Sequence, residues 1–547
     1  MQAAARNLTV LSFACMASYL PATAQAGGAY KVTNLVSDGS VPAITTDANF
    51  INPWAVSSSP SWWISAQGTG FNYVVQAPGT IRFKVIVPAA SGQPTATGLP
   101  TGSVTTAGAS GMILPNGAKA AFLFSTLDGT ISGWNSQLGN DNAITQIAIN
   151  NSAAGASYRG LAIINTTTAN NATASYILAP NFGTGNAIEV YDSTFKPTKL
   201  AGSFTDPNLP ANYAPFSVHI LGTHVFVTYA LRTTTTPYST VNAPGNGIVS
   251  VFDTSGNFVA RAVTGGNLNA PWGVAFAPAS FGVFSNDLLI GDFGNGMINV
   301  YDPNTYAYLG QLIDATGNPL VYPSLWELLT GGTAVGNTTT VSGGDLSTVY
   351  FTAGLANEAH GLFAGIAIDT STSDTPTFGF SASTAALTAS AGTPAQATIS
   401  VVPTNNFTGT VTLACSGLPT SSTCSFSPSQ LTVSPTAAAT STLSIETNSA
   451  SAGLQSRHLR DTSAAGITSV LLLPFASILI FRRRSTSIGT HPRRLCGVLL
   501  FLIALAGFVA GCGGTSPATT PVGQSNVTVT TTSGTITQQT TIALTVQ

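Results

Sequence analysis

A four-residue pattern that returns along the first two thirds of the chain constrains its fold more than any other feature. It reads Pro53-Trp54-Ala55-Val56, Tyr158-Arg159-Gly160-Leu161, Pro215-Phe216-Ser217-Val218, Pro271-Trp272-Gly273-Val274 and Leu325-Trp326-Glu327-Leu328. Its second positions are separated by 105, 57, 56 and 54 residues. The first interval is about twice the others and leaves room for a sixth copy, expected around Ser110 in Ala109-Ser110-Gly111-Met112-Ile113. A second pattern falls between the copies: Gly129-Thr130-Ile131, Asn186-Ala187-Ile188, Gly247-Ile248-Val249 and Gly296-Met297-Ile298. A period of this size marks a repeat architecture.

Within each repeat the apolar residues alternate, and Gly or Asn interrupts them at regular points. Ala121-Phe122-Leu123-Phe124 runs through Asp128-Gly129 into Thr130-Ile131-Ser132-Gly133-Trp134. A β-run, a Gly turn and a second β-run make a hairpin. The Pro-aromatic-Gly run adds an inner strand, and such a unit is one blade of a β-propeller. A helical solenoid would need a 3.6-residue apolar period, which these Thr- and Val-rich segments lack. Asp192, Asp253 and Asp302 close hairpin strands and read as Asx turns rather than calcium ligands. The last repeat, about 323–368, shows three strands. Tyr30–Val36 is therefore expected to supply its outer strand and close the ring.

Only 7% of the residues are charged. The usual share is about 25%, and Thr, Ser, Ala, Asn and Gly fill the gap. Residues 25–456 carry nine Lys/Arg against eighteen Asp/Glu, and this acidic body disfavours nucleic acid as a partner. Residues 1–26 read as a secretory signal: Arg6, an apolar run from Leu8 to Leu20, then small residues at Ala22-Thr23-Ala24 and Ala24-Gln25-Ala26. Two apolar runs, 464–481 and 495–511, approach the length of a membrane helix. Arg482, Arg483, Arg484, Arg493 and Arg494 between them place the loop 482–494 in the cytoplasm and both flanking parts outside. A competing reading takes Val509-Ala510-Gly511-Cys512 as a lipoprotein signal with Cys512 as the lipidated residue.

Beyond the repeats, strand-like runs at Ala397–Val402, Thr410–Cys415, Gln430–Val433 and Ser441–Ile445 have the cadence of a small β-sandwich. Cys415 and Cys424 enclose a short loop there, and in an oxidising compartment they are expected to form a disulfide. Residues 526–546 carry two alternating Thr/Val runs around Ser533-Gly534 and read as a lone hairpin that is marginal unless it joins a sheet. The chain is thus divided into a signal peptide 1–26, a propeller 27–370, a sandwich 371–450, a linker 451–463, a membrane helix 464–481, a basic loop 482–494, a membrane helix or lipoprotein-like segment 495–511, and a hairpin tail 512–547. The expected fold class is all-β: a six-bladed β-propeller, a small immunoglobulin-like sandwich and a C-terminal transmembrane pair.

The runs "TNLVSDG", "NPWAV", "DGTISGW", "GSFTDPNLPANYAPF", "APWGVAFAPASFG" and "NEAHGLF" resemble an uncharacterised family of exported bacterial proteins. The resemblance spans about residues 30–368 and implies a six-bladed, TolB-like propeller with blades similar to NHL repeats. It implies no activity. The sandwich resembles the immunoglobulin-like modules of bacterial surface proteins, and the region after 370 resembles outward-facing proteins of soil bacteria such as Acidobacteria.

Inner strands begin near a propeller's axis, so Trp54, Arg159, Phe216, Trp272 and Trp326 are expected round one mouth of the channel. Aromatic faces with one guanidinium suit a sugar, an aromatic group or a carboxylate. The competing reading is that these rings wedge blades together. Arg159 breaks the aromatic rule and is expected to face the channel or to pair with an acid such as Glu327. Glu358 and His360 are candidates for acid–base work or a metal. His219 and His224 are weaker candidates, flanking a turn. No nucleophile elbow, phosphate loop, dinucleotide fingerprint or zinc-protease motif occurs in the sequence. The leading expectation is an exported, membrane-tethered binding module for an extracytoplasmic ligand or protein, without a cofactor. The alternative is a propeller lactonase, lyase or hydrolase acting on sugar-like substrates with a divalent metal in the channel.

Overall fold

The computed structural model describes residues 29–91, 97–167, 170, 172–332, 343–370, 376–390, 392–449 and 519–547. Residues 1–26, expected to be a signal, both apolar runs and Cys512 lie outside the described residues. Among the described residues no helix is long and apolar enough to cross a membrane.

The strands between Tyr30 and Ile368 fall into six sheets. Their first strands are Pro53–Ser58, Pro100–Thr105, Ala162–Thr167, Tyr213–Leu221, Pro271–Phe276 and Leu325–Thr330. Each of these packs against the next, and the last packs against the first. The apolar cores follow the same cycle. Trp63 meets Phe122 and Trp134 between the first and second sheets. Ile131 shares a core with Ile177 between the second and third, and Leu178 shares one with Val227 between the third and fourth. Val251 shares a core with Ile290, Leu289 with Phe351, and Phe363 with Ile64, which returns the cycle to the first sheet. Sheets packed face to face round an axis make a β-propeller.

The recurrent pattern has a backbone meaning. Pairing between the first and second strands slips at Pro53/Val56, Pro100/Gly102, Pro215/Ser217, Pro271/Val274 and Leu325/Leu328. Proline has no N–H to give to a ladder, so it suits a strand start or a bulge, and a bulge redirects the following side chain. In five of the six repeats that side chain is large and turns toward the axis. The third position must stay small in most copies. A Cβ on Gly273 would lie 2.5 Å from the Trp326 carbonyl oxygen of the next sheet, and one on Gly102 would lie 2.8 Å from the Gly160 backbone.

The second repeat corrects the sequence reading. Its inner strand is Pro100–Thr105, so Thr101 rather than Ser110 occupies the aromatic position. Thr101 Oγ1 donates to the Tyr158 carbonyl at 2.7 Å, so a hydrogen bond there replaces ring packing. Nothing apolar marks this copy in the sequence.

Closure follows expectation. Tyr30–Ser37 lies antiparallel to Leu362–Ile368, from the pair Tyr30 with Ile368 to the pair Ser37 with Leu362. The Tyr30 hydroxyl also donates to the Phe281 carbonyl at 2.8 Å in the preceding sheet. Asp192, Asp253 and Asp302 form the expected turns: each carboxylate accepts backbone N–H groups just ahead of it, such as Thr194 at 2.8 Å, Ser255 at 2.8 Å and Thr305 at 2.7 Å.

Residues after 376 form two further sheets round one core of Phe378, Ile399, Val411, Leu443, Val527 and Ile542. One sheet holds Thr377–Ala382, Ala395–Thr404, Ala439–Thr447 and Ser422–Ser427. The other holds Ala386–Ala389, Ile536–Val546, Gly523–Ser533, Gly409–Ser416 and Gln430–Val433. The Thr-rich tail is therefore not a separate unit. Gly523–Ser533 pairs with Gly409–Ser416, and Val527, Val529, Ile542 and Leu544 complete the core. Cys415 and Cys424 are disulfide-bonded with Cα atoms 6.7 Å apart, and they stand on strands of opposite sheets. The sandwich leans on the fifth propeller sheet: Tyr308 and Ser381 share a hydroxyl hydrogen bond of 2.8 Å, and Asn267 donates to the Ala382 carbonyl.

Deleting residues 29–37 strips the outer strand from the closing sheet and uncovers Leu362–Ile368. The full chain without them is expected to melt at least about 10 °C lower by circular dichroism. An unchanged melting temperature would show that closure contributes no stability.

Candidate functional site

The inner strands all run the same way along the axis, so successive positions of the repeat form successive layers. The second positions make an aromatic layer. Trp54 stacks on Trp326 with centroids 3.4 Å apart, and Trp272 meets both edge-on at 6.4 and 6.1 Å. Phe293 stacks on Trp326 at 4.3 Å, and Phe182 tilts against Phe216 at 5.3 Å. Trp54, Trp272 and Trp326 are each 1% exposed. The rings pack on one another and hold neighbouring sheets together, as the competing reading has it, and they do not stand open round a mouth.

On one side of this layer lies a cavity of about 330 Å³, lined by residues that follow the aromatic position in all six inner strands. Its walls are largely aliphatic, with Val56, Leu161, Val218, Val274 and Leu328 among them. Two polar features interrupt them. Ser57 and Ser103 share a hydroxyl hydrogen bond of 2.8 Å. His219 Nδ1 faces Glu327 Oε1 at 3.5 Å.

The His219–Glu327 pair is the least expected feature of the fold. Glu327 occupies the third position of its repeat, where the other sheets carry Ala55, Gly102, Gly160, Ser217 and Gly273. Its carboxyl accepts N–H groups from Leu328 at 3.2 Å and Val56 at 3.5 Å, both weak contacts. His219 Nε2 lies 2.8 Å from the Trp272 carbonyl oxygen, which can only accept. Nε2 therefore carries the proton, and Nδ1 turns a lone pair toward Glu327. Burial pushes the Glu327 carboxyl up from 4.5 to about 8, and it pushes the His219 imidazole down from 6.5 to about 4. Near pH 7 the contact thus joins a neutral acid to a neutral imidazole and is not an ion pair. A protonated carboxyl beside an unprotonated nitrogen, walled by aliphatic groups, can pass a proton or hydrogen-bond a ligand's polar end.

On the other side of the aromatic layer stand Arg159 and Glu358. The Arg159 guanidinium carbon lies 4.8 Å from the Phe182 ring centre, 5.6 Å from Trp54 and 5.9 Å from Phe216. Burial pushes its pKa down to about 10, against the pull of Glu358, so it stays charged at neutral pH. Glu358 Oε2 accepts Asn52 Nδ2 at 2.6 Å, and Asn52 Oδ1 in turn accepts Trp326 Nε1 at 2.9 Å. Arg159 therefore does not pair with Glu327, which faces His219 across the layer. Glu358 and His360 do not converge either: His360 Nδ1 turns to Asp38 Oδ2 at 2.6 Å. His224 begins its strand and is exposed. Among the described residues no group of three His, Cys, Asp or Glu side chains is placed to hold a metal ion.

Sequence reasoning underrated His219 and Glu327 as a pair. The usable signal was a carboxylate where every other copy of the repeat has a small uncharged residue. Asn52, Phe182, Tyr238 and Phe293 lie outside the repeated pattern and gave no signal.

No family model matches the chain. It is 30% identical over 355 residues to the uncharacterized protein L690 of Acanthamoeba polyphaga mimivirus, across 62% of this chain and 86% of that protein. Similar solved structures include the PQQ-bound aldose sugar dehydrogenase of Streptomyces coelicolor, at 11% identity and TM-score 0.32, covering 62% of this chain and 99% of that one. Another is the Cps50 (Swd1) β-propeller domain of Myceliophteria thermophila, at 9% identity and TM-score 0.29, covering 57% and 83%. The chain belongs to the family of the mimivirus protein.

Buried groups with shifted affinities for protons couple stability to pH. Glu327 holds its proton more tightly folded than unfolded, so its contribution is full below pH 4.5 and is lost as pH rises through about 8. His219 acts oppositely: its contribution is full above pH 6.5 and is lost as pH falls through about 4. The two oppose each other where they overlap. A clean loss of roughly 2 kcal/mol is expected between about pH 6.5 and 8, and Glu327→Gln should abolish it in urea titrations. A variant with the same alkaline slope as the parent would show that Glu327 is ionised at neutral pH.

Proposed function

We propose that this relative of the mimivirus protein is an exported, six-bladed propeller, tethered to a membrane, that binds a small ligand in its axial cavity. The cavity carries the reading. It is lined by all six inner strands, is mostly aliphatic, and offers polar groups at His219 and Glu327 and at the Ser57–Ser103 pair. Sites of that kind take a ligand whose apolar body fills the cavity and whose polar end reaches the pair. Six sheets sharing six cores in a closed cycle support the blade count. Two sheets, an inter-sheet disulfide and a common core support an immunoglobulin-like sandwich.

The tether is supported by where the chain leaves and re-enters the sandwich. Thr520 N donates to the Asn448 carbonyl at 3.1 Å, and Asn448 N donates to Thr520 Oγ1 at 2.9 Å. The described residues on the two sides of that stretch are therefore bonded to each other. The strands after Thr520 lie in the same sandwich as those before Asn448, so both lie on one side of any membrane. Two membrane-spanning runs satisfy that requirement and a single span does not. Alkaline phosphatase fused after Gln547 should then be active, and fused after Arg484 inactive. Activity after Arg484 would contradict the cytoplasmic loop.

The enzymatic alternative rests on the same pair, since a carboxylic acid facing an imidazole is an acid–base couple. One substitution separates cavity binding from binding elsewhere. Val218→Trp fills the cavity from its wall. Small amphipathic solutes that raise the melting temperature of the parent should fail to raise that of the variant. Equal shifts in both would move the site off the axis. Turnover of such a solute that Glu327→Gln removes would favour the enzyme.

A further inference from the structure

The face of the aromatic layer opposite the cavity carries a separate feature: hydrogen-bond donors without acceptors. Arg159 bears five N–H donors. Among the described residues its side chain makes a single hydrogen bond, from Nη2 to the Tyr238 carbonyl at 3.4 Å, which is long. Its Nε is fully buried and has no partner. The Trp54 indole Nε1, in the ring 5.6 Å from the same guanidinium, is also buried without a partner. Buried donors are nearly always satisfied, and leaving a charged one unmade is costly. Ring faces alone do not replace the missing acceptors.

The neighbouring acid is held close without filling this role. Glu358 is bonded to Asn52, and its field reaches Arg159 without a hydrogen bond between them. It is kept there at a conformational cost. Ala356, Asn357 and Glu358 are three consecutive left-handed residues, at φ 51°, 55° and 70°. Outside glycine each such residue costs on the order of 1 kcal/mol. Arg159 is half-buried as a residue, while its Nε is fully buried. The nearby Arg232 is already committed, to the Phe182 and Gly183 carbonyls and to the face of Tyr238.

We infer that Arg159 is the anchor of a second axial site that takes a carboxylate, with Glu358 as the gatepost that limits its charge. One uncommitted guanidinium beside a carboxylate matches a monoanion. A phosphate dianion would need a second cation, and Arg232 is not available to supply it. The planar fork of Arg159 and the flat carboxylate are complementary, and the aromatic surround excludes water that would weaken the contact. This site stands apart from the cavity and does not depend on a ligand there.

The test uses the purified full chain, benzoate as probe and benzamide as its uncharged isostere, read by tryptophan fluorescence. Benzoate should bind at least about tenfold more tightly than benzamide, a preference of about 1.4 kcal/mol. Arg159→Gln should abolish the preference. Glu358→Gln removes a like charge and should strengthen benzoate binding several-fold while leaving benzamide unchanged. Equal binding of the two probes, or no saturation by benzoate below about 10 mM, overturns the inference. So does a preference that survives Arg159→Gln. If Arg159→Gln does not fold, the Glu358→Gln arm decides: benzoate binding unmoved or weakened there sinks the site. Benzoate binding with these responses in a Val218→Trp background would uphold this site even where the cavity reading fails.

Discussion

Packing of large rings at the start of the inner strands is the interaction on which the propeller depends. Each ring reaches the axis because the strand bulges there, and the bulge follows from a proline or its substitute at the strand's first position. The stacked Trp54, Trp326 and Phe293, with Trp272 and Phe216 against them, join sheets that are distant in sequence. Buried aromatics of this kind contribute area and orientation together. Small residues at the next position let neighbouring strands approach closely enough for the rings to meet.

That layer also divides the axis into two environments. On one side the walls are aliphatic and the polar groups are neutral, because burial without a countercharge leaves Glu327 protonated and His219 unprotonated. On the other side a permanent cation sits among rings with an acid at hand. The difference is chemical: a carboxyl or an imidazole escapes a desolvated charge by shifting its proton, whereas guanidinium cannot and must find an acceptor. Trp272 connects the two sides, since its indole donates to the Arg159 carbonyl and its own carbonyl accepts from His219.

Much of the architecture was legible in the repeat. Its spacing set an expectation of six units, and the surplus strand expected at Tyr30–Val36 pairs with Leu362–Ile368. The second copy was misplaced because Pro100-Thr101-Gly102-Ser103 keeps the backbone device and drops the aromatic residue, and a search for rings passes over it. The tail was legible as a hairpin, yet its partner was not. Val527 and Ile542 find Val411 and Leu443 only because two sheets meet face to face. The axial residues were identified as a group, but their pairing was misjudged: Arg159 and Glu327 sit in adjacent layers with rings between them.

The sequence by itself determined the strands, the turns and the repeat, because alternation, proline and glycine act through local backbone geometry. It also determined that ionisable side chains at Arg159 and Glu327 break the rule of their positions. Only the tertiary structure decided that His219 answers Glu327, that Arg159 is left short of acceptors, and that the last residues complete the sandwich. Those outcomes depend on which side chains meet across the axis or between sheets, at separations of tens to hundreds of residues. No local preference encodes such meetings; they follow from closing the ring and packing its layers.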